Sequence, residues 1–463
     1  MTPITFDKDF MFGAAAASFQ IEGASAEDGK VPSIWDTMCA TPGKVANGDT
    51  GEVACDHYHR MPQDIAMMKD LGLSTYRFSV SWPRVMSAPG VVNEAGLKFY
   101  SRLVDELIAN GMTPWLTLYH WDLPQYEQDN GGWTSRDTAY HFADYAEAVY
   151  NRLGDRVDIW TTLNEPWCSA FLGHGSGEHA PGRTEPRETL EAVHHLLLGH
   201  GLAVERLRSL GLDESKTLGI TINPSTVHAA DPSNPDDVAA ARLHDGFRNR
   251  IFLDPLFNGF YPADVIEAAG DLWPAELIHD GDLELISQPI DVLGINFYNG
   301  EMVGGDPTAD VASPGAPHPN SGQIFHVARD LPHTHMGWEI YAPDFTELLL
   351  RLHTEWTAPN GTYLAVTENG AAFDDHPDEN EFVQDDDRIA YYNDHIRAVH
   401  EAIQQGADVR AYLAWSIMDN FEWAWGYDKR FGIVRVNYET QQRTPKASAH
   451  WYGQLARTHT LTQ

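Results

Sequence analysis

Short runs of apolar, β-branched and aromatic residues recur along this chain, each followed by a polar loop and then by a stretch with helical spacing. Eight runs stand out, at 11–20, 74–81, 113–120, 159–166, 217–223, 291–298, 363–369 and 409–416. Helical patterns fall between several of them, at 62–71, 94–110, 138–153, 190–210 and 388–405; in the last, Ile389, Ile396, Val399 and Ile403 recur on one face. A glycine follows each of these helices (Gly72, Gly111, Gly154, Gly211, Gly406), where C-terminal capping favours it. The alternation predicts βα units on a parallel sheet. Eight strands with intervening helices predict an α/β fold, a single (β/α)8 TIM barrel of one domain over residues 1–463, with the surplus length in long βα loops. The two longest loops are expected at 172–188 and 300–338.

The predicted strands end in polar or aromatic residues: Gln20, Arg77, His120, Asn164 with Glu165, Asn223, Asn296 with Tyr298, Glu368 with Asn369, and Trp415. One such strand end is an ordinary cap. Because barrels of this type build their sites from the C-terminal ends of several strands, eight together predict one shared site at the mouth.

Composition narrows the function. The formal net charge of −36 disfavours nucleic acid and anionic membrane as partners, since both need basic patches. The 14 Trp and 18 Tyr fit either a large core or a cleft in which indole faces stack on sugar rings. Cys39, Cys55 and Cys168 are odd in number and widely spaced, so neither a disulfide framework nor a CxxC metal site is predicted. The His57-Tyr58-His59 pattern stands before a helix rather than at a strand end, with no further His or Asp set to complete a metal site. No cofactor is called for. The first residues lack the basic-then-apolar build of a secretory leader, and no apolar stretch approaches the roughly 20 residues of a membrane span. A cytoplasmic location is the expectation; the oligomeric state is not readable.

Glu165 ends the fourth run, in Thr161-Thr162-Leu163-Asn164-Glu165-Pro166, and Glu368 ends the seventh, in Thr367-Glu368-Asn369-Gly370. Either alone reads as a cap or an ion-pair partner. Two glutamates facing each other across a barrel mouth are what glycoside hydrolysis requires, one protonating the leaving oxygen and the other attacking from the opposite face.

The order of motifs then resembles glycoside hydrolase family 1, the β-glucosidase family, along almost the whole chain. The resemblance rests on Phe12-Gly13-Ala14-Ala15-Ala16-Ala17-Ser18-Phe19-Gln20-Ile21-Glu22-Gly23, Tyr76-Arg77-Phe78-Ser79, Leu118-Tyr119-His120-Trp121-Asp122 and the two glutamate motifs. It continues to Trp415-Ser416-Ile417-Met418-Asp419-Asn420-Phe421-Glu422-Trp423 and Gly426-Tyr427-Asp428-Lys429-Arg430-Phe431-Gly432. The one departure is Ala17, where the family usually has Thr. The resemblance implies Glu165 as general acid/base and Glu368 as nucleophile of a retaining enzyme. It implies that Gln20, His120, Asn164, Glu422 and Trp423 bond the sugar and that Trp415 forms the floor beneath it. Arg77, Asn296 and Tyr298 would hold or approach the nucleophile. Trp167 and Trp338 fall where the family lines its aglycone subsite.

On this reading the substrate is a small saccharide or an aryl or alkyl β-glucoside, with β-galactosides and β-fucosides as secondary substrates. Glu368 is expected ionised beside Arg77 and Tyr298, Glu165 protonated against the apolar wall of Trp167, and Glu422 an ionised, acceptor-only group. Alternatives within the same family are a β-galactosidase or β-fucosidase and a 6-phospho-β-glycosidase; the last has Ser in place of Glu422. A non-catalytic sugar-binding protein would have lost one or both glutamates, and both are present.

Overall fold

The computed structural model describes residues 3–312 and 318–462. Eight parallel strands close into a barrel. They are β1 (Met11–Ala16), β2 (Thr75–Ser79), β3 (Thr113–Tyr119), β4 (Ile159–Asn164), β5 (Thr217–Ile222), β6 (Val292–Asn296), β7 (Tyr363–Asn369) and β8 (Val409–Trp415). Each pairs with its neighbour in chain order, and β8 closes the ring on β1 with Ala411 opposite Met11 and Trp415 opposite Ala15. All eight predicted runs therefore become barrel strands, trimmed at their ends. The first run stops at Ala16, and Gln20 lies on a following helical turn, Ser18–Ile21.

Outside the barrel helices follow every strand, among them α1 (His57–Leu71), α2 (Glu94–Ala109), α3 (Arg136–Leu153), α4 (Pro186–Ser209), α5 (Ile251–Asn258, preceded by a further helix at Pro235–Asp245), α6 (Pro343–Leu352), α7 (Asp386–Gln404) and α8 (Ala447–Thr458). Helices on the outside and side chains within bury both faces of the strands, which explains their continuous apolar runs. Trp115, Ile159, Val292, Tyr363, Ala365, Ala411 and Leu413, from β3, β4, β6, β7 and β8, pack as a cluster of their own. Gly72, Gly111, Gly211 and Gly406 take the left-handed backbone that closes a helix, whereas Gly154 has φ −64°. Gly154 is small for another reason: a Cβ there would lie 2.7 Å from the Tyr150 carbonyl oxygen.

Three local expectations change. Helix α1 starts five residues earlier than its pattern indicated, with Pro62 accommodated near its first turn, and His57 sits inside it with Nδ1 2.8 Å from the buried Asp64. The predicted loop 172–188 is helical at both ends, because a π-helical segment runs Cys168–Ser176 and α4 begins at Pro186, which leaves 177–185 as the loop. Within 300–338, of which 313–317 lie outside the described residues, strands Glu301–Gly305 and Ile324–His326 pair beside Val227–Ala229. Pairing with a segment some 75 residues earlier leaves no local periodicity to read.

Candidate active site

The C-terminal strand ends surround one cavity of about 380 Å³. Of the predicted residues, His120, Glu165, Trp167, Asn296, Tyr298, Trp338, Glu368, Trp415, Glu422 and Trp423 line it. Arg77 and Asn164 are not among the lining residues but hydrogen-bond to them, and Gln20 is held by Asn420 and Phe421 just before Glu422. Strands β4 and β7 are separated in the ring by β5 and β6 rather than lying diametrically opposite. Glu165 leaves β4 with φ +46°, and Trp121 and Trp423 also take left-handed backbone. Such non-glycine residues are costly and concentrate where side chains must be aimed.

One hydrogen-bonded chain fixes the geometry. Arg77, a donor only, gives Nη1 to Glu368 Oε1 and Nη2 to Asn164 Oδ1, each at 2.7 Å. This orients the Asn164 amide, so the nitrogen of Asn296 must face Asn164 Oδ1 (3.0 Å) and donate also to Glu165 Oε1 (2.5 Å). On its other side the Asn164 nitrogen donates to His120 Nε2 at 3.1 Å, which leaves the imidazole proton on Nδ1. Burial, aided by the charge of Arg77, holds His120 well below its usual range, as the neutral ring. Tyr298 donates to Glu368 Oε2 at 2.8 Å, and Cys168 Sγ donates to Glu165 Oε2 at 3.0 Å.

The two carboxyls thus stand in unequal surroundings. Burial pushes Glu368 up to about 7; Arg77 and Tyr298 favour its anion, and Glu165 opposes it. Burial raises Glu165 too, and its contacts are one amide and one thiol, with Arg248 and Arg77 acting at longer range. The charge of Glu165 acts on Glu368, and carboxyls that interact in this way titrate as a pair. The guanidinium in direct contact with Glu368 places the pair's negative charge there and leaves the proton on Glu165. Glu422 departs from expectation. Burial, then Glu368 and Glu165, push it up to about 8, although its partial exposure lets solvent screen some of that push. A protonated Glu422 donates one hydrogen bond as well as accepting others.

Trp415 and Trp423 lie nearly parallel to the His120 ring, with centroids 5.8 and 6.0 Å away, giving the pocket a flat aromatic side. Gln20 Nε2 is tied to Asn420 Oδ1 and the Phe421 carbonyl, while its buried Oε1 has no partner. Trp338 packs on Tyr298 and Phe431. Trp167 is not a plain apolar wall: it stacks on Phe171 and carries the Arg248 guanidinium 4.0 Å from its ring centre. Arg248, Glu301, His326, Glu178 and Cys168 also line the cavity and had no signal as strand ends. Asn223, named above among the predicted strand ends, lines the cavity just beyond β5.

A barrel with two unequally held glutamates at its mouth belongs to the hydrolase class that works with a pair of carboxyls. The profile of Glycosyl hydrolase family 1 matches residues 2–461, and the chain belongs to that family. It is 49% identical to "Thermostable beta-glucosidase B" of Thermobispora bispora, over 99% of this chain and 92% of that one. It is 45% identical to the "Bifunctional beta-D-glucosidase/beta-D-fucosidase" of Bifidobacterium breve, over 98% of each. The crystal structure of the psychrophilic beta-glucosidase BglU from Micrococcus antarcticus superposes with a TM-score of 0.93 at 49% identity, covering 98% of this chain and 97% of that one. Among the described residues no helix is long and apolar enough to cross a membrane.

Proposed function

We propose that this protein is a retaining β-glucosidase that releases terminal β-D-glucosyl residues from small glucosides or cello-oligosaccharides, the whole chain acting as one catalytic domain. The observation that carries the assignment of roles is the asymmetry between the glutamates. Glu368 is held by a guanidinium and a phenol, which suits an ionised nucleophile. Glu165 is held by an amide and a thiol, which suits an acid that must keep its proton until the bond breaks. Glu368 attacks the anomeric carbon while Glu165 Oε2 protonates the departing oxygen. The glycosyl-enzyme ester removes the negative charge beside Glu165, which then takes a proton from the incoming water.

Trp415 forms the floor of the sugar subsite, with Gln20, His120, Asn164, Glu422 and Trp423 bonding its hydroxyls, and Trp167 and Trp338 flank the aglycone. The unpartnered Gln20 Oε1 supports the first of these roles, as an acceptor awaiting a hydroxyl. β-Fucosides are the second substrate class, in line with the name of the Bifidobacterium breve relative. The location is proposed to be cytoplasmic, and neither nucleic acid nor membrane is a partner.

A panel of aryl β-glycosides tests this with the wild type, Glu165→Ala and Glu368→Ala. Azide is expected to rescue both variants, giving the β-glycosyl azide with Glu165→Ala and the α-glycosyl azide with Glu368→Ala. Failure of rescue in both would overturn the assignment.

A further inference from the structure

The third cysteine has no part in the double displacement as written, yet it touches the residue that moves the proton. Cys168 follows Glu165 by three residues, just past the left-handed turn at Glu165 (φ +46°), and its backbone N–H donates to the Glu165 carbonyl at 3.0 Å. Its buried Sγ stands 3.0 Å from Glu165 Oε2, and Asn223 Nδ2 donates to the sulfur at 3.4 Å.

The amide network identifies the oxygen that carries the acidic proton. Arg77 fixes Asn164, Asn164 fixes Asn296, and the Asn296 N–H occupies Glu165 Oε1 as a donor. The proton of a neutral Glu165 therefore sits on Oε2, the oxygen facing the thiol. We propose that Cys168 is a positioning residue for the acid/base: its S–H donates to Glu165 Oε2 through both half-reactions, holding that oxygen toward the glycosidic bond and supporting the carboxylate once its proton has left. The inference rests on Glu165 being the acid/base. The bookkeeping is closed. Oε2 gives its proton to the leaving oxygen and later takes one from water, while the thiol keeps its own proton. Cys168 is not itself a nucleophile: burial and the adjoining Glu165 push its thiol far above the range where a thiolate forms.

A donor to the ionised form of an acid lowers its pKa, so removing the thiol should make Glu165 a weaker acid. The other charged or titratable groups that act on Glu165 come from separate elements and stay in place when Cys168 is changed. They are Arg77 on β2, Arg248 beyond β5, Tyr298 beyond β6, Glu368 on β7 and Glu422 beyond β8.

The test compares the pH dependence of kcat/KM in the wild type, Cys168→Ala, Cys168→Ser and Glu165→Gln, on cellobiose and on 2,4-dinitrophenyl β-glucoside, whose leaving group needs no proton. With Cys168→Ala the alkaline limb on cellobiose is expected to move up by about half a pH unit, the effect of one lost weak hydrogen bond. The kcat/KM for cellobiose should fall about threefold to tenfold, and kcat/KM for the dinitrophenyl glucoside, which reports only the step that needs no acid, should hold. Cys168→Ser, which restores a donor, should bring the limb back to or below its wild-type position. The position of a limb does not depend on how much of a sample is folded, so reduced stability cannot imitate the result. If Glu165→Gln abolishes the alkaline limb but both Cys168 variants keep it unmoved, the thiol has no such role and the assignment of Glu165 stands. If Glu165→Gln keeps the limb, Glu165 is not the acid and both readings fall.

Discussion

Arg77 Nη1 stands 2.7 Å from Glu368 Oε1, across 291 residues of chain, with both side chains almost wholly buried. The same guanidinium holds Asn164, the residue before Glu165, so one cation orients groups on both sides of the site. Arg77→Met is expected to lower kcat/KM by roughly 10²- to 10⁴-fold, because breaking a buried ion pair costs about 3–5 kcal/mol. Arg77→Lys keeps the charge but cannot serve Glu368 and Asn164 together, and should fall between Met and wild type. Steady-state kinetics with an aryl glucoside decide both.

Tyr298 supplies the second donor to Glu368. A donor favours the carboxylate, so Tyr298→Phe should raise the pKa of Glu368, already pushed up to about 7 by burial, still further. The nucleophile must be ionised, so the acid limb of kcat/KM is expected to shift to higher pH. At about pH 6 the rate should drop roughly 10- to 100-fold, the worth of a hydrogen bond to a charged group. An unshifted acid limb would remove Tyr298 from this role.

Glu422 offers a test by stability. A carboxyl whose pKa is higher in the folded than in the unfolded state contributes stability that is complete below the unfolded value and is lost as pH climbs through the folded value, here about 8. Glutamine has no charge to acquire. The Tm of Glu422→Gln should therefore gain on that of the wild type from about pH 5 to about pH 8 and lie above it at the alkaline end. Parallel melting curves across that range would show that Glu422 is ionised throughout.

Gly370, which closes the Thr-Glu-Asn-Gly motif, lies where a Cβ would be 1.9 Å from the Trp415 carbonyl oxygen and 2.9 Å from the Tyr392 hydroxyl. The first obstacle is backbone and cannot swing away. Gly370→Ala is expected to destabilise the fold by about 1–3 kcal/mol and to displace Trp415, lowering kcat as well as Tm. Unfolding by denaturant and steady-state kinetics on the same preparation check the two effects.

Much of this molecule could be read from its sequence, because the informative signals were local. Each barrel strand is a short apolar run buried on both faces, so all eight could be seen one at a time. A barrel gathers its strand ends at one mouth, so Glu165, His120, Tyr298 and Trp415 could be assigned to one cavity without knowing any distance. The two glutamates needed only their places at the ends of β4 and β7.

Tertiary structure alone decided the rest. The strands at Glu301–Gly305 and Ile324–His326 exist because a distant segment pairs beside them. Arg248 reaches the cavity from a π-helical segment beyond β5 and covers Trp167, and Cys168 meets the Glu165 carboxyl just past a left-handed turn that no residue pattern announces. The proton balance among Glu165, Glu368 and Glu422 belongs to the same category. A carboxyl's affinity for its proton depends on burial and on charges within a few ångströms. Sequence determines which groups are present, and packing sets the distances through which they act.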